Sequence, residues 1–162
     1  RLNRLLAHGF GLTLDGMAQS AELPSSLRQS PSFQIERVRR HTKDEVEHTL
    51  GKHGSSMREF WILSCVMERP LSQRQLSELL AIDASDMVRL IDSLEQHDWV
   101  KRDRDPKDRR RQIVTPTKKG SKAHPRLSED VAAAEDRALD MSTTKQLKSL
   151  KKLSKAILEE EG

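Results

Sequence analysis

Residues 71–97, LSQRQLSELLAIDASDMVRLIDSLEQH, constrain the fold of this chain more than any other stretch. Ser72 followed three residues later by Gln75 is a capping box. It opens a helix whose apolar positions Leu76, Leu79 and Leu80 share one face. Asp83 can cap a second helix, over residues 84–97, in which Met87, Leu90, Ile91 and Leu94 recur at i, i+3, i+4 and i+7. Only Ala81, Ile82 and Asp83 lie between the two. A connection that short makes the helices turn sharply against each other, which is the arrangement of a helix-turn-helix. Just upstream, Ser56 and Glu59 form another capping box before the apolar run FWILSCVM, and Pro70 stops that third helix.

After residue 97 the apolar period changes from helix-like to strand-like. WVKRD and RQIVT are short β-prone runs on either side of RDPKDR, whose Asp-Pro step and charges suit a hairpin tip. The expected fold class is therefore mainly α with a small β-hairpin wing over residues 99–115. The wing stands beside the helix at 84–97, inside a winged helix spanning residues 55–120.

Composition limits what such a domain can do. With 162 residues the chain can bury one core of ordinary size plus appendages. Its longest uncharged apolar run, residues 60–67, is far short of the roughly 20 residues of a membrane span. The single cysteine, Cys65, leaves no intramolecular disulfide and no multi-cysteine zinc site, and no signal-like leader opens the sequence, so a cytoplasmic protein is expected. A glycine-rich phosphate loop, a nucleophile elbow and a framed Cys/His or paired-carboxylate set are all lacking, so no enzyme, cofactor or metal is expected. Net charge is +4, yet residues 99–120 hold nine Lys/Arg against three Asp, and the remainder is slightly negative. Charge confined in this way reads as a footprint for a polyanion such as nucleic acid, with a solvated loop as the plain alternative.

Residues 71–120 resemble the DNA-binding core of the MarR (multiple antibiotic resistance) regulators. The resemblance rests on the L-S-x-x-x-L-S-x-x-L opening, Arg89 in the middle of the second helix, Leu94-Glu95, and the wing pattern D-P-x-D-R-R at residues 105–110. It implies a winged helix-turn-helix that places residues 84–97 in the major groove and the wing arginine, Arg110, in the minor groove, with Asp108 orienting it. Ala84, Ser85, Asp86, Val88 and Arg89 are then the base-reading candidates. Ser72, Gln73 and Arg74 are candidates for the phosphate backbone through the helix start. Arg102, Arg104, Lys107, Arg109 and Arg111 are candidate phosphate contacts that set affinity rather than sequence preference. Three positions depart from the family pattern: Asp98 stands where glycine usually makes a left-handed turn, Asp86 brings a carboxylate near the helix start, and Pro116 replaces an apolar residue before a turn expected over Thr117 to Gly120. The expected role of Asp86 is to favour the helix dipole, with cytosine readout as the alternative.

The ends of the chain point to a homodimer. Residues 31–54 carry Phe33, Ile35, Val38 and Val46, and the C-terminal helix repeats Leu147, Leu150, Leu153 and Ile157. Neither stripe can be buried within a small winged domain, so terminal helices of two chains are expected to interlock, as in the resembling family, and to bind an inverted repeat. Residues 121–162 would supply a long connecting helix, with Pro125 bending it without breaking it, and the C-terminal dimerisation helix. Residues 1–30 read as an N-terminal helical arm, with a lid or an extension as alternatives. The family also implies a small-molecule effector that releases a repressor from DNA. His41, His48, Phe60, Trp61 and Cys65 are candidate pocket lining, each equally at home in a core or in solvent, and Cys65 reads as an inert thiol. The competing functions are a winged-helix protein-interaction module and a non-specific architectural DNA-binding module.

Overall fold

The computed structural model describes residues 22–160, so most of the N-terminal arm expected over 1–30 lies outside the described residues. These fall into two compact units, one ending at Glu36 and one beginning at Arg37. In the first, the short helix α1 (Ser25–Arg28) leads into α2 (Pro31–Gly51), which starts on Pro31 as the N1 preference for proline predicts and continues into the second unit. It ends three residues before the expected boundary. The chain turns at 52–54, where Gly54 has a φ of 68° and its carbonyl accepts from His97 Nε2 at 2.8 Å.

The second unit continues with α3 (Met57–Glu68), β1 (Leu71–Ser72), α4 (Gln73–Leu80), α5 (Ala84–Gln96), β2 (Val100–Arg104), β3 (Gln112–Pro116), α6 (Lys118–Ala138) and α7 (Thr144–Glu160). All three expected caps form. Ser56 and Ser72 complete capping boxes with Glu59 and Gln75, and Asp83 accepts from the amides of Ser85 and Asp86. The three strands make one antiparallel sheet in the order β1-β3-β2. β1 is an addition to the expected hairpin: Leu71 and Ser72 pair with Val114 and Ile113 immediately before α4 begins. Two residues at a helix start carry no period of their own, so this strand exists only through its partner.

Pro116 is accommodated at the very end of the sheet, opposite Val100, where its missing N–H costs no interior ladder bond. The turn expected over Thr117 to Gly120 is instead the first turn of α6. Thr117 caps it, its Oγ accepting from Gly120 N at 3.0 Å, so the connecting helix starts at Lys118 rather than after residue 120. Gly120 is required there because a Cβ would lie 2.0 Å from the Trp99 carbonyl oxygen. The helix runs on through Pro125 without a break.

One core joins the end of α2 to the winged helix and α6: Leu50, Leu63, Leu76, Met87, Ile91, Leu94, Val114 and Leu127 are among its most enclosed members. Leu79, expected on the buried face of α4, is exposed. The short α4 buries Leu76 fully and Leu80 only in part, and Leu79 falls beyond its contact face. The helix α7 buries nothing, and Leu147, Leu150, Leu153 and Ile157 remain uncovered along it, as do Ile35 and Val38 on α2. Among the described helices none is long and apolar enough to cross a membrane.

Candidate nucleic-acid interface

Two left-handed residues set the geometry of the helix pair and the wing. Ala81 closes α4 at φ 50° and ψ 45°, letting Ile82 N donate to Ser77 O at 3.1 Å before Asp83 starts α5. Asp98, with φ 59°, takes the turn between α5 and β2 that glycine would make most easily. Its carbonyl accepts from Thr117 Oγ at 2.5 Å, which closes the base of the wing.

The base is fastened to α5 by Arg102. Its backbone N–H donates to Glu95 Oε1 at 2.8 Å, and its guanidinium donates to Glu95 Oε2 at 3.1 and 2.7 Å, to Gln73 Oε1 at 3.3 Å, and to Asp92. Only 20 % of its side chain is exposed. The hydrogen bonds to Glu95, before those to Asp92, hold its pKa above the usual arginine value. Arg102, a phosphate candidate by sequence, is thus occupied in joining β2 to α5.

At the tip two aspartates shape the backbone. Asp105 Oδ1 accepts from Lys107 N at 2.9 Å and Asp108 Oδ1 from Arg110 N at 3.1 Å, while Arg111 N donates to Asp108 O and Asp105 N to Arg111 O. Arg110 projects from this turn with 95 % of its side chain exposed, and its guanidinium meets Asp108 at 3.5 Å. A pair so exposed contributes little to stability, so the contact orients the arginine without immobilising it. Arg104, Lys107 and Arg109 are exposed along the same hairpin, and Arg111 lies 3.9 Å from Asp105.

Between the wing tip, the start of α4 and the outer face of α5 runs an open groove of about 860 Å³. Gln73, Arg74, Ala84, Val88, Arg110 and Arg111 line it, together with Ser72 and Asp108. The fold therefore brings eight of the fifteen sequence candidates into one concavity, across 40 residues of chain. Ser72 enters it with its side chain already committed, since the hydroxyl is buried and accepts from Gln75 N at 3.1 Å. Arg74 is drawn toward Glu78 at 2.8 Å, a hydrogen bond that raises its pKa. Asp86 and Arg89 line a second, smaller depression with Arg58 and Leu90. There the Asp86 carboxylate is held by Arg89 and, at 3.4 Å, by Arg58. Arg58 escaped sequence reasoning, for nothing near position 58 announces a partner 28 residues away.

None of the effector candidates lines this groove. His41 and His48 are exposed on α2, Trp61 is exposed on α3, and Phe60 stacks on His124 with ring centroids 5.6 Å apart. Cys65 is half-buried, and burial pushes its thiol up, against a smaller lowering by Arg69, which keeps it in the unreactive protonated form.

A three-stranded sheet behind a helix pair, with a basic hairpin at its edge, defines a winged helix-turn-helix protein. Residues 53–111 match the MarR family model, the family that the sequence of residues 71–120 resembles. The chain is similar in structure to BldR, a transcriptional regulator of Sulfolobus solfataricus, at 26 % identity and TM-score 0.73 over 85 % of this chain and 99 % of that one. It is similar also to a MarR-family regulator from a Rhodococcus species, at 24 % identity and TM-score 0.73 over 80 % and 95 % of the two chains. A mutant MarR from E. coli complexed with operator DNA superimposes at TM-score 0.70, with 20 % identity over 78 % of this chain and 92 % of that one. Among curated proteins no sequence matches it.

Proposed function

We propose that the chain is a sequence-specific double-stranded DNA-binding transcriptional regulator that acts as a homodimer on an inverted repeat. In this reading α5 enters the major groove, Arg110 reaches the adjacent minor groove, and the first turn of α4 with Arg109 and Arg111 holds the phosphate backbone. The observation that carries it is Arg110, presented at the tip of a hairpin whose own aspartates rigidify the turn and leave the guanidinium exposed above a groove floored by α5. The operator complex of the similar E. coli protein supports the same assignment. Homodimerisation is supported by α7, an amphipathic helix whose whole apolar stripe lies bare in the single chain. By family resemblance the regulator is a cytoplasmic repressor released by a small-molecule effector.

Salt dependence tests the electrostatic part. Duplex affinity falls steeply as salt rises, and Arg109→Ala and Arg111→Ala each reduce the log–log slope by about 1. Absence of any duplex binding at low salt rules the assignment out in favour of a protein-interaction module.

A further inference from the structure

The first turn of α5 has most of its polar groups engaged within the protein. Ser85 donates from both its backbone and its hydroxyl to Asp83, at 3.0 and 2.6 Å, and the Asp86 carboxylate is clamped by Arg89 and Arg58. What α5 turns toward the large groove is apolar: Ala84 and, one turn further on, Val88, which is 39 % exposed. A lone exposed valine is unremarkable on a protein surface. This one shares an i, i+4 strip with Ala84 in a groove that Arg74, Arg110 and Arg111 also line, the first two paired with Glu78 and Asp108 of the same lining, so that the cations still outnumber the carboxylates. Cations along the groove select a polyanion, and an apolar strip within it selects an apolar feature on that polyanion. In the major groove of B-DNA the base edges offer one such feature, the 5-methyl group of thymine, which small aliphatic side chains contact.

We propose that Ala84 and Val88 recognise thymine methyl groups, so that each half-site carries a thymine facing this strip. The inference rests on the assignment of α5 as the helix that enters the major groove.

The test uses the full-length chain and a duplex selected by it from a randomised library. Each thymine of the half-site is replaced in turn by deoxyuridine, which deletes the methyl and keeps the base pair. One position is expected at which the replacement weakens binding about fourfold, the factor carried by burial of one methyl-sized group, and about 16-fold when made in both half-sites. Val88→Ala, which trims two methyl groups from the strip at a surface position, is expected to diminish that sensitivity. If it does, a general effect of uracil on duplex stiffness is excluded as the cause. Sequence-selective binding with no thymine in the half-site, or with deoxyuridine tolerated throughout, or with undiminished sensitivity in Val88→Ala, overturns the methyl contact while the regulator assignment stands. Failure to bind any duplex overturns that assignment, and the methyl contact with it.

Discussion

Arg102 and Arg110 lie on one hairpin, eight residues apart, and the fold treats them in opposite ways. Arg102, at the base, is four-fifths covered and answered by Glu95, Asp92 and Gln73. Arg110, at the tip, is almost wholly exposed and, among the described residues, is answered by Asp108. Both belong to the same run of positive charge, so composition cannot separate them. Position relative to α5 does: strand β2 packs over that helix and brings Arg102 onto its carboxylates, whereas Arg110 at the tip meets Asp108 of its own turn. A basic run can thus contain charges that hold the fold together and charges that the fold keeps available, and only the second kind belongs to an interface.

The most disruptive way to probe this contrast is Arg102→Ala. It strands Glu95 and Asp92 and removes several charge-assisted hydrogen bonds, with an expected loss of about 2–3 kcal/mol in urea unfolding. An unchanged midpoint would erase the distinction between base and tip. Its counterpart, Arg110→Ala, is expected to leave that midpoint unchanged and to weaken binding to a selected duplex by about 1–3 kcal/mol. Loss of stability in this variant would show that the tip, too, is structural.

A smaller effect probes the turns that aim the two helices and the wing. Ala81 has a Cβ but no polar group to offset its left-handed backbone, so Ala81→Gly is expected to stabilise the protein by about 1 kcal/mol. Asp98→Gly should gain less, because aspartate tolerates that region better. Thermal unfolding of the two variants, ranked in the reverse order, would contradict the account of these turns.

The smallest expected effect concerns His124 on α6, which stacks on Phe60 and lies 2.9 Å from Ser64 Oγ. Burial lowers its pKa, with a weaker opposing pull from Glu68. Below the ordinary imidazole value of about 6.5 the unfolded chain takes up the proton first. The contribution of neutral His124 to stability is therefore complete above that pH and is lost as pH falls through the lower folded value. His124→Phe keeps the stack and should flatten the decline in stability between pH 7 and 5. An identical pH profile in the variant would remove His124 from the explanation.

Much of the fold was legible because its signals are local. Capping by Ser56, Ser72 and Asp83 acts within three residues and the stripe of Met87, Ile91 and Leu94 repeats within one helix, whereas the left-handed turn at Asp98 was implied by the family resemblance. Features that depend on distant partners were not legible. Strand β1 exists because Val114 and Ile113 arrive beside it, Arg102 turns inward because Glu95 and Asp92 are there, and Arg58 meets Asp86 across the gap between α3 and α5. The start of α6 was misread for a related reason. Lys118 and Lys119 look like turn residues until Thr117 is seen capping the helix and Gly120 pressing against the Trp99 carbonyl. Within the groove, chemical type and order along the chain pointed to the wing and α5, whereas the commitment of Ser72, Asp86 and Arg102 to internal partners needed three dimensions.

Selection of bound duplexes from a randomised library at moderate salt, followed by sequencing, tests the central claim most directly. The account predicts an inverted repeat with half-sites about one helical turn apart, bound by two copies of the chain. Binding without enrichment of any sequence would instead mark a backbone-reading architectural protein, and would contradict the assignment of α5 and Arg110 to sequence recognition.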